Sequence, residues 1–142
     1  MSEVPTLVKV ISVWYYISAV GTLLFSILLL LGGGLIASVS TGAENEALGA
    51  LGSFLGGSIL VAGVLLLAYA LITGFSAYGL WAGRNWGRII AIVLSAIGVL
   101  LNGWLIYAIG FGVIASFSLL VNALIGCYLI FSKSVKEAFP SA

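Results

Sequence analysis

Gly79-Leu80-Trp81-Ala82-Gly83-Arg84-Asn85-Trp86-Gly87-Arg88 is the stretch on which the reading of this chain turns. It carries two of the five basic residues and two of the four tryptophans, and long uncharged runs flank it on both sides. A basic, aromatic interval between two apolar runs reads as a short turn joining two membrane-crossing helices. Its arginines mark the side of the membrane on which it lies, because Lys and Arg gather in cytoplasmic loops.

The composition supports lipid as the solvent. Of 142 residues, 63% are hydrophobic and 6% charged, and the mean hydropathy is +1.31. Soluble domains carry about 25% charged residues, so a fold this poor in charge has too little polar surface to face water. The net charge of +1 provides no broad basic surface for nucleic acid. There is no histidine and Cys127 is the single cysteine, which excludes an intrachain disulfide and argues against a thiolate–imidazole metal site. No cofactor is expected. Cys127 lies in an apolar run and reads as a small hydrophobe in a helix.

Working outward from the turn, no charge occurs between Lys9 and Glu44, and a span needs about 20 apolar residues. A first helix is expected over 8–37, with Pro5 in its first turn. The run is too long for the apolar core of a cleaved signal, so it is read as a retained helix. Residues 38–47, with Glu44, Asn45 and Glu46, read as a polar loop. The second helix is placed over 54–82, with 48–53 as loop or frayed turn. Its small-xxx-small pairs, Gly52/Gly56 and Ser53/Gly57, suit close helix packing, within the chain or between copies. Ile89 to Ser132 is again uncharged and, at about 1.5 Å per residue, covers roughly twice a hydrocarbon core. It therefore divides into a third helix over 87–107 and a fourth over 111–132, hinged at Tyr107–Gly112. In the tail, Ser134 and Glu137 have capping-box spacing, so one short helical turn is expected, stopped by Pro140, with Phe139 entering the interface.

The fold class that follows is all-α: a single membrane domain over 1–142, a four-helix transmembrane bundle of two hairpins. With four spans, Lys9, Arg84, Arg88, Lys133 and Lys136 fall on one side and Glu44 and Glu46 on the other. That parity is independent of the run lengths that place the spans, and it puts both termini in the cytoplasm. Trp14, Tyr15, Tyr16, Tyr78, Trp81, Trp86, Tyr128 and Phe131 gather toward the basic side, and Trp104 and Tyr107 toward the other, as interfacial belts do. Ser18-Ala19-Val20-Gly21-Thr22-Leu23-Leu24 resembles Ser95-Ala96-Ile97-Gly98-Val99-Leu100-Leu101, which suggests parallel hairpin repeats.

Few residues are available for chemistry. Asn102 and Asn122 are candidate intramembrane polar contacts. An amide in lipid serves more often as helix glue than as the lining of a path, and the two are expected about two helical turns apart in depth, too far to pair. Serines 18, 26, 58, 76, 95, 116 and 118 and Thr73 can return their hydroxyls to their own helix backbone. No Asp, Glu, Lys or Arg falls inside an expected span, which argues against proton-coupled carriers and voltage sensors. Without histidine or a paired acid and base, enzyme activity is not expected. Arg84 and Arg88, with Trp81 and Trp86, are first topology anchors and second a candidate contact for an anionic lipid phosphate, with Asn85 as an added hydrogen bond.

Three places carry a resemblance: Pro5-Thr6-Leu7-Val8-Lys9-Val10-Ile11, the stretch from Gly79 to Ile92, and Val135-Lys136-Glu137-Ala138-Phe139. They resemble a group of small four-span membrane proteins of archaea and bacteria, classed as domains of unknown function, with a Gly-Leu-Trp-x-Gly-basic-x-Trp motif. The resemblance implies a prokaryotic inner-membrane protein with cytoplasmic termini. It carries over no activity, substrate or site. The expected function is a non-enzymatic membrane component, an accessory subunit or self-associating scaffold; the alternative is a small oligomeric channel or carrier for ions or polar solutes. The expected partners are membrane lipids and further copies, or the other subunits of a larger membrane complex.

Overall fold

The computed structural model describes residues 3–110 and 112–139. These form five helices and no strand: α1 (Thr6–Ser40), α2 (Glu46–Trp81), α3 (Asn85–Ile109), α4 (Val113–Phe131) and α5 (Lys133–Ala138). The first four are long and apolar enough to cross a bilayer. Large apolar side chains stand exposed along all four, among them Leu28, Val39, Phe54, Phe75, Leu100 and Ile114. That surface is stable only against hydrocarbon. At 35 and 36 residues, α1 and α2 extend over roughly 50 Å each, longer than the ~30 Å hydrocarbon core.

The chain divides into two compact units, with the boundaries inside α1 and α2: residues Ile17–Ile72 form one, and residues up to Tyr16 together with those from Thr73 onward form the other. The Ile17–Ile72 unit is a helical hairpin closed by small residues. A Cβ built on Gly56 would lie 2.8 Å from the Ala37 nitrogen, one on Gly63 would lie 2.9 Å from Leu30, and one on Gly52 would lie 2.5 Å from the Ser40 Cβ. Gly49, Gly56 and Gly63 recur every seven residues, as do Gly33 and Ser40 on the facing helix, which keeps both seams in register along the contact. Close backbone approach therefore occurs within the chain at Gly52 and Gly56, while Gly57 has no neighbour within 4 Å.

The expected start of the second helix, near 54, is corrected to Glu46. Asn45 sits at the N-cap, where its Oδ1 accepts the Ala47 N–H at 3.0 Å, and the carboxylate of Glu46 lies in the first turn. Gly49 and Gly52, in the interval expected to be loop or frayed turn, are helical and pack against Ser40. The other bounds differ less: α1 begins at Thr6 and α3 at Asn85. The break between α3 and α4 falls at Gly110–Gly112; Phe111, the expected first residue of the fourth helix, and Pro140, the expected helix stop, lie outside the described residues.

In the other unit the core is Val8, Tyr15, Ala77, Leu80, Ala91, Ile125, Leu129, Val135, Ala138 and Phe139. The start of α1, the end of α2, the start of α3, the end of α4 and α5 therefore meet in one cluster. Phe139 is 1% exposed and packs in this core, not in the interface as expected. The expected capping box at Ser134 and Glu137 does not form: Ser132 occupies the cap position without a side-chain cap bond, and its hydroxyl meets that of Ser134 at 2.8 Å.

Candidate functional site

The α2–α3 turn is built by its glycines. Gly83 has φ +67°, the left-handed conformation that favours glycine. The Gly83 N–H bonds the Leu80 carbonyl at 3.2 Å and the Arg84 N–H bonds the Gly79 carbonyl at 2.8 Å. These two bonds make a Schellman motif, which satisfies carbonyls left open at the end of α2. α3 then starts at once. A Cβ on Gly87 would lie 2.5 Å from the Gly79 Cα, and one on Gly79 would lie 3.0 Å from the Trp86 ring. The two backbones touch because neither crossing residue has a side chain. The Ser76 hydroxyl donates to the Gly87 carbonyl at 3.1 Å across the same crossing.

This geometry separates the two arginines. Arg84 is exposed at the N-cap of α3, and Trp81 and Trp86 lie beside it in sequence at 50% and 37% exposure. Arg88 is half-buried, and its Nε donates to the Leu129 carbonyl at 2.9 Å. Leu129 lies in the last turn of α4, where carbonyls lack intrahelical partners and a cation meets the negative end of the helix dipole. Arg88 thus closes the end of α4 with part of its guanidinium.

Further buried bonds tie helices in this unit. The Ser12 hydroxyl donates to the Ala77 carbonyl at 2.7 Å. The Tyr15 hydroxyl lies 3.0 Å from that of Ser95 and 3.3 Å from the Ala91 carbonyl. Tyr15 is 5% exposed, so it belongs to the core and not to the aromatic belt. Ser26, Ser58 and Ser116 do bond their own helices; Ser76 and Ser95 reach other helices, contrary to expectation. Sequence reasoning did not single out Ser12 and Tyr15 for this role. They lie on one stripe of α1, Val8, Ser12, Tyr15 and Ala19, spaced by three and four residues, whose burial shows only in the fold because the other stripes of this helix are as apolar.

The intramembrane amides behave differently. Asn102 Nδ2 donates to the Gly98 carbonyl at 2.7 Å. Asn122 Nδ2 donates to the Ser118 carbonyl at 2.8 Å, with the Ser118 hydroxyl at 3.4 Å. The Asn122 amide also packs on Gly98, where a Cβ would lie 2.7 Å from its Oδ1. Gly98 thus touches Asn122 and bonds Asn102, which places the two amides about one turn apart in depth, not two. They share a neighbour without bonding each other. Gly98 and Gly21, aligned in the apparent repeat, differ in role, since Gly21 has no neighbour within 4 Å. Among the described residues there is no group of three His, Cys, Asp or Glu side chains placed to hold a metal.

No curated protein and no solved structure matches the chain. A family model described as "Predicted membrane protein (DUF2127)" matches residues 7–133, from the first turn of α1 to the start of α5. With most of its length matched and four helices of spanning length and hydropathy, the chain belongs to this family of membrane proteins.

Proposed function

We propose that the protein is a non-enzymatic component of the cell membrane, acting through association as a scaffold of several copies or as an accessory subunit of a larger complex. The observation that carries this reading is the use made of polar side chains in the spans. Ser12, Tyr15, Ser76 and Ser95 hold helices to one another, and Ser26, Ser58 and Ser116 hold their own backbones. These groups are spent on architecture, and chemistry on a substrate needs a positioned acid, base or nucleophile in addition. Outward-facing Gly32, Gly34 and Gly57, with nothing within 4 Å of a built Cβ, offer surface on which another helix can approach closely.

The orientation we propose has both termini in the cytoplasm. It is supported by the single cluster that holds Val8, Leu80, Val135 and Phe139, to which Lys9, the Arg84–Arg88 turn, Lys133 and Lys136 are adjacent in sequence. We assign the exposed Arg84, with Trp81 and Trp86, a contact with anionic lipid headgroups.

Subunit counting by single-molecule photobleaching in native-lipid nanodiscs, with identification of co-purified proteins, tests the association reading. Several copies per disc, or a stoichiometric partner, is the expected result; monomers alone would overturn it. Flux of ions or small polar solutes into reconstituted vesicles would instead mark the oligomeric channel or carrier.

A further inference from the structure

We propose that Asn122 is the centre of a two-fold contact between two copies of this chain, formed face to face through their α3–α4 hairpins. The inference rests on the association reading above and gives it a surface.

Asn122 lies midway along α4 (Val113–Phe131), and therefore near the centre of the span. It is half-buried, and one N–H is used on Ser118 of its own helix. Its Oδ1 accepts no hydrogen bond among the described residues, and beyond the Ser118 carbonyl its Nδ2 has only the long contact of 3.4 Å to the Ser118 hydroxyl. At an aqueous surface water would satisfy them, but the middle of a bilayer contains neither water nor lipid carbonyls. Ser12, Ser26, Ser58, Ser76 and Ser116, by contrast, each donate to a carbonyl. An amide with an open acceptor and a weakly held N–H is complementary to a second such amide. Two copies in one membrane have the same orientation, so a two-fold axis along the membrane normal brings Asn122 to the depth of its own counterpart.

The surface around Asn122 suits a protein occupant. A groove of about 420 Å³ runs between α3 and α4, lined in part by Ser95, Ala96, Asn122, Ala123, Gly126 and Cys127. Small residues along it let a facing backbone come near enough for the amides to meet. An acyl chain would fill the same space but leave Oδ1 unbonded.

The chain carries its own reporter. Cys127 is its only cysteine, is exposed, and lines the same groove little more than one turn from Asn122. A short bis-maleimide applied to native membranes is expected to join two copies through Cys127, and Cys127→Ser to abolish the product. Asn122→Leu removes the amide and is expected to lower the dimer association constant measured in nanodiscs by about tenfold. Ala123→Leu fills the groove without touching the bond from Asn122 to Ser118, and is expected to lower both dimer and crosslink; it serves if Asn122→Leu loses its helical signal. If photobleaching finds several copies but Cys127 does not crosslink and both variants assemble as the parent does, this contact is wrong while the association reading stands. If the parent protein is monomeric at all protein-to-lipid ratios, both fall. Labelling of Asn122→Cys by a membrane-impermeant thiol reagent would place water at this position and also overturn the contact.

Discussion

Gly83 and Gly87 sit four residues apart in one turn but are required for different reasons, and substitution separates them. Gly83 is held at φ +67°, so Gly83→Ala is expected to destabilise the fold by about 1–2 kcal/mol, the usual strain of an L residue in that region, and to leave a folded protein. Gly87→Ala has no room: its Cβ would fall 2.5 Å from the Gly79 backbone, so α2 and α3 must separate, and loss of monodisperse protein on extraction is the expected outcome. The arginines separate similarly. Arg84→Ala is expected to reduce co-purified anionic lipid while leaving thermal stability near that of the parent. Arg88→Ala is expected to lower stability, by about 1 kcal/mol or more, because it removes the donor to the Leu129 carbonyl. Equal effects of the two on both readouts would contradict this division. At this scale the sequence was only partly legible. The motif stood out by composition, but its glycines show their purpose only when Gly79 is seen against Gly87. Arg88 looks like any interfacial cation until its distance to Leu129, far along the chain, is known.

The elements were the easiest level to read, because uncharged length in lipid has one common solution. Every backbone polar group must be satisfied within the segment, so a long apolar run without charge becomes a helix. Lys9, Glu44, Glu46, Arg84, Arg88 and Lys133 bound three such runs, and the length of the last, roughly twice a hydrocarbon core, makes four spans. The largest error was the start of α2. Glycine at 49 and 52 lowers helix propensity, and in water that argues for a loop. Here the same glycines admit α1 to van der Waals contact, and Asn45 closes the first turn. Asn45→Ala is therefore expected to cost about 0.5–2 kcal/mol, seen as faster amide exchange confined to the first turn of α2. Gly56→Leu is expected to open the hairpin contact around Ala37, because its side chain would begin 2.8 Å from a backbone nitrogen. A cysteine pair placed at Ser40 and Ser53, whose hydroxyls lie 3.2 Å apart, is expected to form a disulfide in the parent hairpin and to lose it in that variant.

At the scale of the whole molecule, orientation is the consequence most directly open to measurement. Residues placed next to Lys9 and Lys136 are expected to be labelled from one side of the membrane only, and residues next to Glu44 from the other; labels on opposite sides for the two termini would refute the four-span topology. Composition, uncharged run length and the positions of nine charged side chains determined by themselves that the protein lives in lipid and that it has four long helices, and they carry the proposal that its cations share a side. Those features follow from the cost of placing charge and open backbone groups in hydrocarbon, which depends on local sequence and not on what lies opposite. Only the tertiary structure decided which polar residues tie helices together, that Tyr15 and Phe139 are core and not interface, and that Asn122 keeps its Oδ1 without a partner at mid-span. In a chain that is apolar on every face, periodicity no longer marks the inward side, so partners become visible only when the helices are set against one another.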